Sequence, residues 1–103
     1  GRFLAEFLQP RGTALRAETA RLVVMNHNPP PLTPRGLGLA VGSAAGSQGC
    51  SDRTFGHTGS TGTIAWADPQ TATICVVLTS LPRRAVQPHP RDVAASAISQ
   101  SVR

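Results

Sequence analysis

The stretch GTIAWADPQTATICVVLT, residues 62–79, constrains the fold more than any other part of the chain. Ile64 and Trp66 alternate with Thr63, Ala65 and Ala67, the two-residue period of a strand with one buried face. DPQT then offers a turn, with Pro69 presetting φ at its second position. ATICVVLT, residues 72–79, is an almost continuous β-branched run. The two strands read as a β-hairpin, and the unbroken apolar character of the second predicts burial on both of its faces. Cys75, inside that run, reads as a small buried hydrophobe, and Trp66 as a residue that packs the hairpin.

Helices are expected on either side of this hairpin. RFLAEFLQ (2–9) carries Phe3, Leu4, Phe7 and Leu8 along one stripe and is closed by Pro10 and Gly12. RAETARLVVM (16–25) has good helix formers, with Glu18 in its first turn and Ala20, Val23 and Val24 toward one side. NHNPPPLTPRG (26–36) cannot continue that helix, because proline pushes each preceding residue out of the α region. LGLAVG (37–42) has a strand pattern, SAAGSQGCSDR (43–53) reads as a loop, and LPRRAVQPHP (81–90) as irregular. RDVAASAISQSV (91–102) predicts a terminal helix with Asp92 as N-cap. The sum is an α+β fold: helices packed on an antiparallel sheet with strands near 37–42, 54–67 and 72–80.

A chain of 103 residues suffices for one modest domain. Its net charge of +5 comes from ten arginines and no lysine. They are scattered, and aromatic residues for base stacking are scarce, so a nucleic-acid partner is not expected. Arg83 and Arg84 read as a solvated pair. No apolar run approaches the ~20 residues of a membrane span. Cys50 and Cys75 show neither metal-ligand nor disulfide-framework spacing, and no metal or other cofactor is expected. His27 and His89, in proline-rich segments, read as exposed and structural.

FGHTGSTG, residues 55–62, supports two readings. Composition alone describes a glycine-rich bulge or turn with a surface histidine. The alternative is a strand edge in which Gly56, Gly59 and Gly62 let another backbone approach, while His57, Thr58, Ser60 and Thr61 supply donors and acceptors. Such an edge can hold an extended substrate and point one N–H at a developing oxyanion.

FGHTGSTGTIAWADPQTATICVVLTS also resembles the third catalytic motif and following hairpin of the serine β-lactamase-like superfamily, which includes class C β-lactamases, D-alanyl-D-alanine carboxypeptidases and related esterases. That motif is Lys-Thr-Gly or, in many esterase-like members, His-Thr-Gly, and His57-Thr58-Gly59 matches it. Phe55, Gly56, Gly62, Asp68, Pro69 and the aliphatic return strand fit the same pattern, as do RGTALRAETARLVVM and RGLGLAVG upstream. The resemblance implies that the Ser60 N–H is one of two oxyanion-hole donors and that the Ser60 carbonyl accepts from a substrate amide. It implies that His57 and Thr58 line the pocket near a leaving group or carboxylate, and that Gly59 keeps the substrate's path free of a Cβ.

The family's nucleophile and base lie in Ser-x-x-Lys, aided in the class C group by Tyr-x-Asn. This chain contains neither Lys nor Tyr. The expectation is therefore the C-terminal segment, residues 1–103, of a serine hydrolase whose nucleophile lies in an N-terminal portion outside this chain, with the segment inactive by itself. Its parent would act on a small-molecule ester, amide or peptide. Histidine in the lysine position tilts the parent slightly toward esterase or peptidase chemistry, since an imidazole attracts a carboxylate less at neutral pH than an ammonium does. The competing expectation is a non-catalytic peptide-binding module derived from the same fold.

Overall fold

The computed structural model describes residues 1–12 and 14–102. Two short helices, α1 (Arg2–Leu8) and α2 (Ala17–Val23), precede a four-stranded sheet of β1 (Ala40–Val41), β2 (Phe55–Gly59), β3 (Thr63–Asp68) and β4 (Thr73–Val77). The chain then runs into α3 (Pro90–Ser101). The strands lie in sequence order and every pair is antiparallel, so the α+β fold read from the sequence is the one formed.

Each face of the sheet is covered by a different helical element. Register sets Phe55 opposite Ala67 and Ala67 opposite Ile74, and this face packs on Leu4 and Phe7 of α1 and Ala20 of α2. The Phe7 and Phe55 rings meet edge to face at 6.3 Å. The opposite face offers Ile64, Trp66 and Cys75, which pack against Ala95 of α3. Trp66 is fully buried and its indole N–H donates to Ser47 Oγ at 3.0 Å, which satisfies the one polar atom this side chain brings into the core.

Several local expectations change. The single strand expected over 54–67 is two strands, because Gly59–Gly62 closes a tight turn through the bond from Gly62 N–H to Gly59 O (3.1 Å). Gly62 has φ +99, the left-handed residue that a three-residue hairpin loop calls for, and a Cβ there would run into Leu81 O and Thr79 Oγ1. The strand expected over 37–42 shrinks to two residues. Residues 36–39 reverse direction instead, with Gly36 N–H donating to Leu39 O at 2.8 Å and Arg35 bridging Ala40.

β4 is an edge strand rather than one buried on both faces. Val76 is 45 % exposed and Leu78, just beyond it, 77 % exposed. α1 and α2 cover the Phe55 end of their face and stop short of the row His57, Ala65 and Val76, where the outer two residues are exposed. The terminal helix starts at Pro90 with His89 as its N-cap, three residues before the expected Asp92 cap, so Asp92 lies inside the first turn instead of capping it. His89 is fully buried, against the expectation of an exposed residue.

Candidate active site

The motif residues occupy the end of β2 and the turn that leaves it. Because side chains alternate along a strand, His57 and Thr58 fall on opposite faces of the sheet. Thr58, Gly59 and Ser60 line a cleft of about 450 Å³ together with Pro82, Arg83 and Arg84. His57 does not line this cleft, although it is exposed beside it. The structure thus gathers three of the four residues singled out in the sequence and sets the fourth on the other face.

β1 pairs only with Phe55 and Gly56, which leaves His57–Gly59 without a neighbouring strand on that side among the described residues. Thr54 O bonds to Gly42 N–H toward β1, and the two-residue alternation of an antiparallel ladder turns the Thr58 backbone groups to the same side. The edge of Thr58 is therefore open to an added strand. One group on it is already engaged: His57 Nδ1–H donates to Thr58 O at 2.6 Å. That bond fixes the proton on Nδ1 and leaves Nε2 as the acceptor of the neutral ring.

Ser60 sits at the second position of the Gly59–Gly62 turn. Its N–H meets no acceptor among the described residues and the residue is exposed. Its carbonyl accepts from Arg83 N–H at 3.1 Å, so a substrate amide would have to use the second lone pair. Arg83 and Arg84 are exposed, as expected for a solvated pair, but their position on the cleft puts two guanidinium groups beside Ser60.

The motif glycines are filled from within the chain. A Cβ on Gly56 would collide with Ala65 O and Trp66, and one on Gly59 with Thr63 Oγ1. Close approach is needed, as the sequence suggested, but the approaching groups belong to β3.

Sequence reasoning did not single out the residues behind the turn. Arg91 Nη1 donates to Gly59 O at 2.7 Å and to Thr63 O at 2.8 Å. His89 Nδ1 accepts from Arg91 N–H at 3.0 Å, which makes Nε2 the protonated nitrogen that donates to Leu81 O at 2.7 Å. The available signal was Pro90: proline favours the first helical position, which makes His89 the N-cap and turns Arg91 back toward the sheet.

A second polar cluster closes the far end of β3. Asp68 is 2 % exposed and accepts from Ser51 N–H at 2.8 Å, from Ser51 Oγ–H and from Gln70 N–H at 3.0 Å. Burial acts to raise its pKa, but the hydrogen bonds from Ser51 and Gln70 outweigh it and the carboxyl ends below its usual 3.8. Burial pushes the Cys75 thiol up, with a smaller contribution from Cys50, in keeping with an inert core residue. Among the described residues no cluster of three or more His, Cys, Asp or Glu could hold a metal ion, and no helix is long and apolar enough to cross a membrane.

Comparison with known proteins supplies the context for this geometry. The crystal structure of a β-lactamase from Mycobacterium bovis superimposes with a TM-score of 0.76 at 25 % identity, over 97 % of this chain and 40 % of that one. The chain therefore spans about two fifths of the length of that structure. No curated protein matches significantly by sequence. The family model for β-lactamase matches residues 1–98, nearly the whole sequence, and the chain belongs to the β-lactamase family.

Proposed function

We propose that this chain is the C-terminal segment of a serine hydrolase that forms and hydrolyses an acyl-enzyme on an ester, peptide or β-lactam. In this reading His57-Thr58-Gly59 is the wall of the site, and the Ser60 N–H is one of two donors to the oxyanion of the tetrahedral intermediate. The observation that carries it is the Ser60 amide: free of any acceptor among the described residues, at a hydrogen-bonded turn, on a cleft beside an open strand edge. A backbone N–H held this way needs no reorganisation when negative charge develops in front of it. In this reading the Ser60 hydroxyl is not the nucleophile, since His57, the motif's own candidate base, projects from the other face of the sheet.

The small-molecule substrate would lie along Thr58 as an added strand and present its carbonyl to Ser60. The nucleophile and its base come from outside residues 1–103. The test is to treat the full-length protein with a fluorophosphonate probe and map the labelled peptide, alongside hydrolysis of p-nitrophenyl acetate and nitrocefin. Labelling of a serine outside residues 1–103, with turnover of at least one substrate, is expected. Labelling at Ser60 itself would overturn the assignment.

A further inference from the structure

Arg91 is a buried charge that the proposed chemistry does not use directly. It is 2 % exposed, and its guanidinium Nε faces the Asp92 carboxylate at 3.4 Å without a hydrogen-bond partner among the described residues. Asp92 is itself half exposed, so the pair is poorly compensated. A guanidinium in such a place gains the fold little: desolvation offsets most of what its bonds return, and an apolar side chain of similar length often serves as well. What the ion does supply is direction.

Its Nη1 spans the two carbonyls, Gly59 O and Thr63 O, that bracket the turn carrying Ser60. Gly59 C=O and Ser60 N–H are the two ends of one planar trans peptide and point in opposite directions. The Gly59 carbonyl accepts from Gly62 N–H across the turn and from Arg91 beneath it, and the charged donor reinforces the orientation that leaves the Ser60 N–H pointing outward. A charged donor also polarises that peptide, which strengthens its N–H as a donor at the other end.

The rest of the segment from Thr79 to Arg91 works in the same sense. Ser60 O accepts from Arg83 N–H at 3.1 Å, and Gly62 O accepts from Thr79 Oγ1–H at 2.7 Å. His89 Nε2–H ties Leu81 O back to the start of α3. Four carbonyls between Gly59 and Thr63 are thus held by this one segment, all except that of Thr61.

We propose that Arg91 is a positioning residue for the oxyanion donor, aiming and polarising the Gly59–Ser60 peptide from beneath the turn. The proposal rests on the reading of Ser60 given above. It is tested in the full-length protein with Arg91→Met and Arg91→Lys, by NMR of the Gly59 carbonyl and Ser60 amide and by kinetics on p-nitrophenyl acetate and nitrocefin. Arg91→Met should move those two resonances, together with the Thr63 carbonyl that shares the same donor, more than any others in β3 or β4. It should lower kcat on the order of tenfold to a hundredfold with little change in KM, because a small misaim of a catalytic group carries such a penalty. Arg91→Lys, which keeps a charged donor able to reach one carbonyl, should recover part of both effects.

Uniform shifts across α3 and β4, with kcat falling only in step with the folded fraction, would make Arg91 a structural residue and overturn the proposal. In the wild-type protein, Arg91 Nη protons that are resolved and slow to exchange are expected. Averaged, fast-exchanging ones would overturn it even if neither variant folds. Ser60→Pro separates the two readings. If it cuts kcat while Arg91→Met leaves both the Ser60 amide and kcat unmoved, the Arg91 proposal fails alone; if it leaves kcat intact, the Ser60 reading has failed.

Discussion

Proline at position 60 removes a single hydrogen atom from the backbone, and the proposed mechanism depends on that atom. Ser60 occupies the second position of the Gly59–Gly62 turn, where the fixed φ of proline is favoured. No hydrogen bond is lost to the fold, since the Ser60 N–H has no acceptor among the described residues. The preceding Gly59 ends β2 in the extended region that a residue before proline prefers. Proline at a compatible turn position is worth about 0.4–1 kcal/mol of stability through the unfolded chain, so Ser60→Pro should melt at or slightly above the wild-type temperature. Loss of one oxyanion donor, by contrast, costs about 2.7–4 kcal/mol of transition-state stabilisation, or 10²–10³ in kcat.

Ser60→Ala is the matched control, because it keeps the N–H and deletes only the hydroxyl. The assay is kcat of the full-length protein on p-nitrophenyl acetate and nitrocefin for all three forms, with thermal melts alongside. A proline variant that turns over like the alanine variant would refute the role given to the N–H. An alanine variant as slow as the proline variant would shift the role to the hydroxyl.

Three further outcomes follow from the packing. The Asp68 carboxyl titrates below its usual 3.8 in the fold, so its contribution to stability is complete above that pH and is lost as the pH falls through the lower folded value. Urea melts between pH 7 and pH 2 should show a loss below about pH 4 that Asp68→Asn removes, since the amide does not titrate. Gly62→Ala should destabilise by about 1–3 kcal/mol in the same melts, as it forces a Cβ into a left-handed residue against Leu81 O and Thr79 Oγ1. The 103-residue region expressed alone should self-associate in light scattering through the exposed edge at Val76 and Leu78, and lysine at both positions should return it to monomer. A monomeric wild-type region would contradict that assignment.

Much of the fold was legible because period-two alternation and the Asp68-Pro69 turn are local signals. Ile64 and Trp66 alternate in the sequence and are buried against α3 in the structure. The division of 54–67 into β2 and β3 was hidden because Gly59 and Gly62 suit both a permissive strand edge and a tight turn. Only the contacts of Gly62 with Thr79 and Leu81, seventeen and nineteen residues away, select the turn. The two-sided burial expected of β4 failed because an apolar run does not report its place in the sheet, and at the edge one face of Val76 stays open. At the site, Thr58, Gly59 and Ser60 lie together on one cleft, whereas His57 is separated from them by the same two-residue period that made the hairpin readable. Arg91 lies about thirty residues from the carbonyls it holds, and no local pattern encodes a contact of that span.

The bond from His57 to Thr58 O means that the open edge of β2 carries its own competitor. The imidazole is attached one residue away, so its effective concentration at that carbonyl does not fall when the protein is diluted. Any strand that docks there must displace the ring or share the oxygen with it. With a net hydrogen bond worth about 0.5–1.5 kcal/mol, ligands that depend on that acceptor are weakened roughly two- to tenfold, by a constant factor at every concentration. A side chain matched to a family motif thus also sets a threshold for what can occupy the strand beside it.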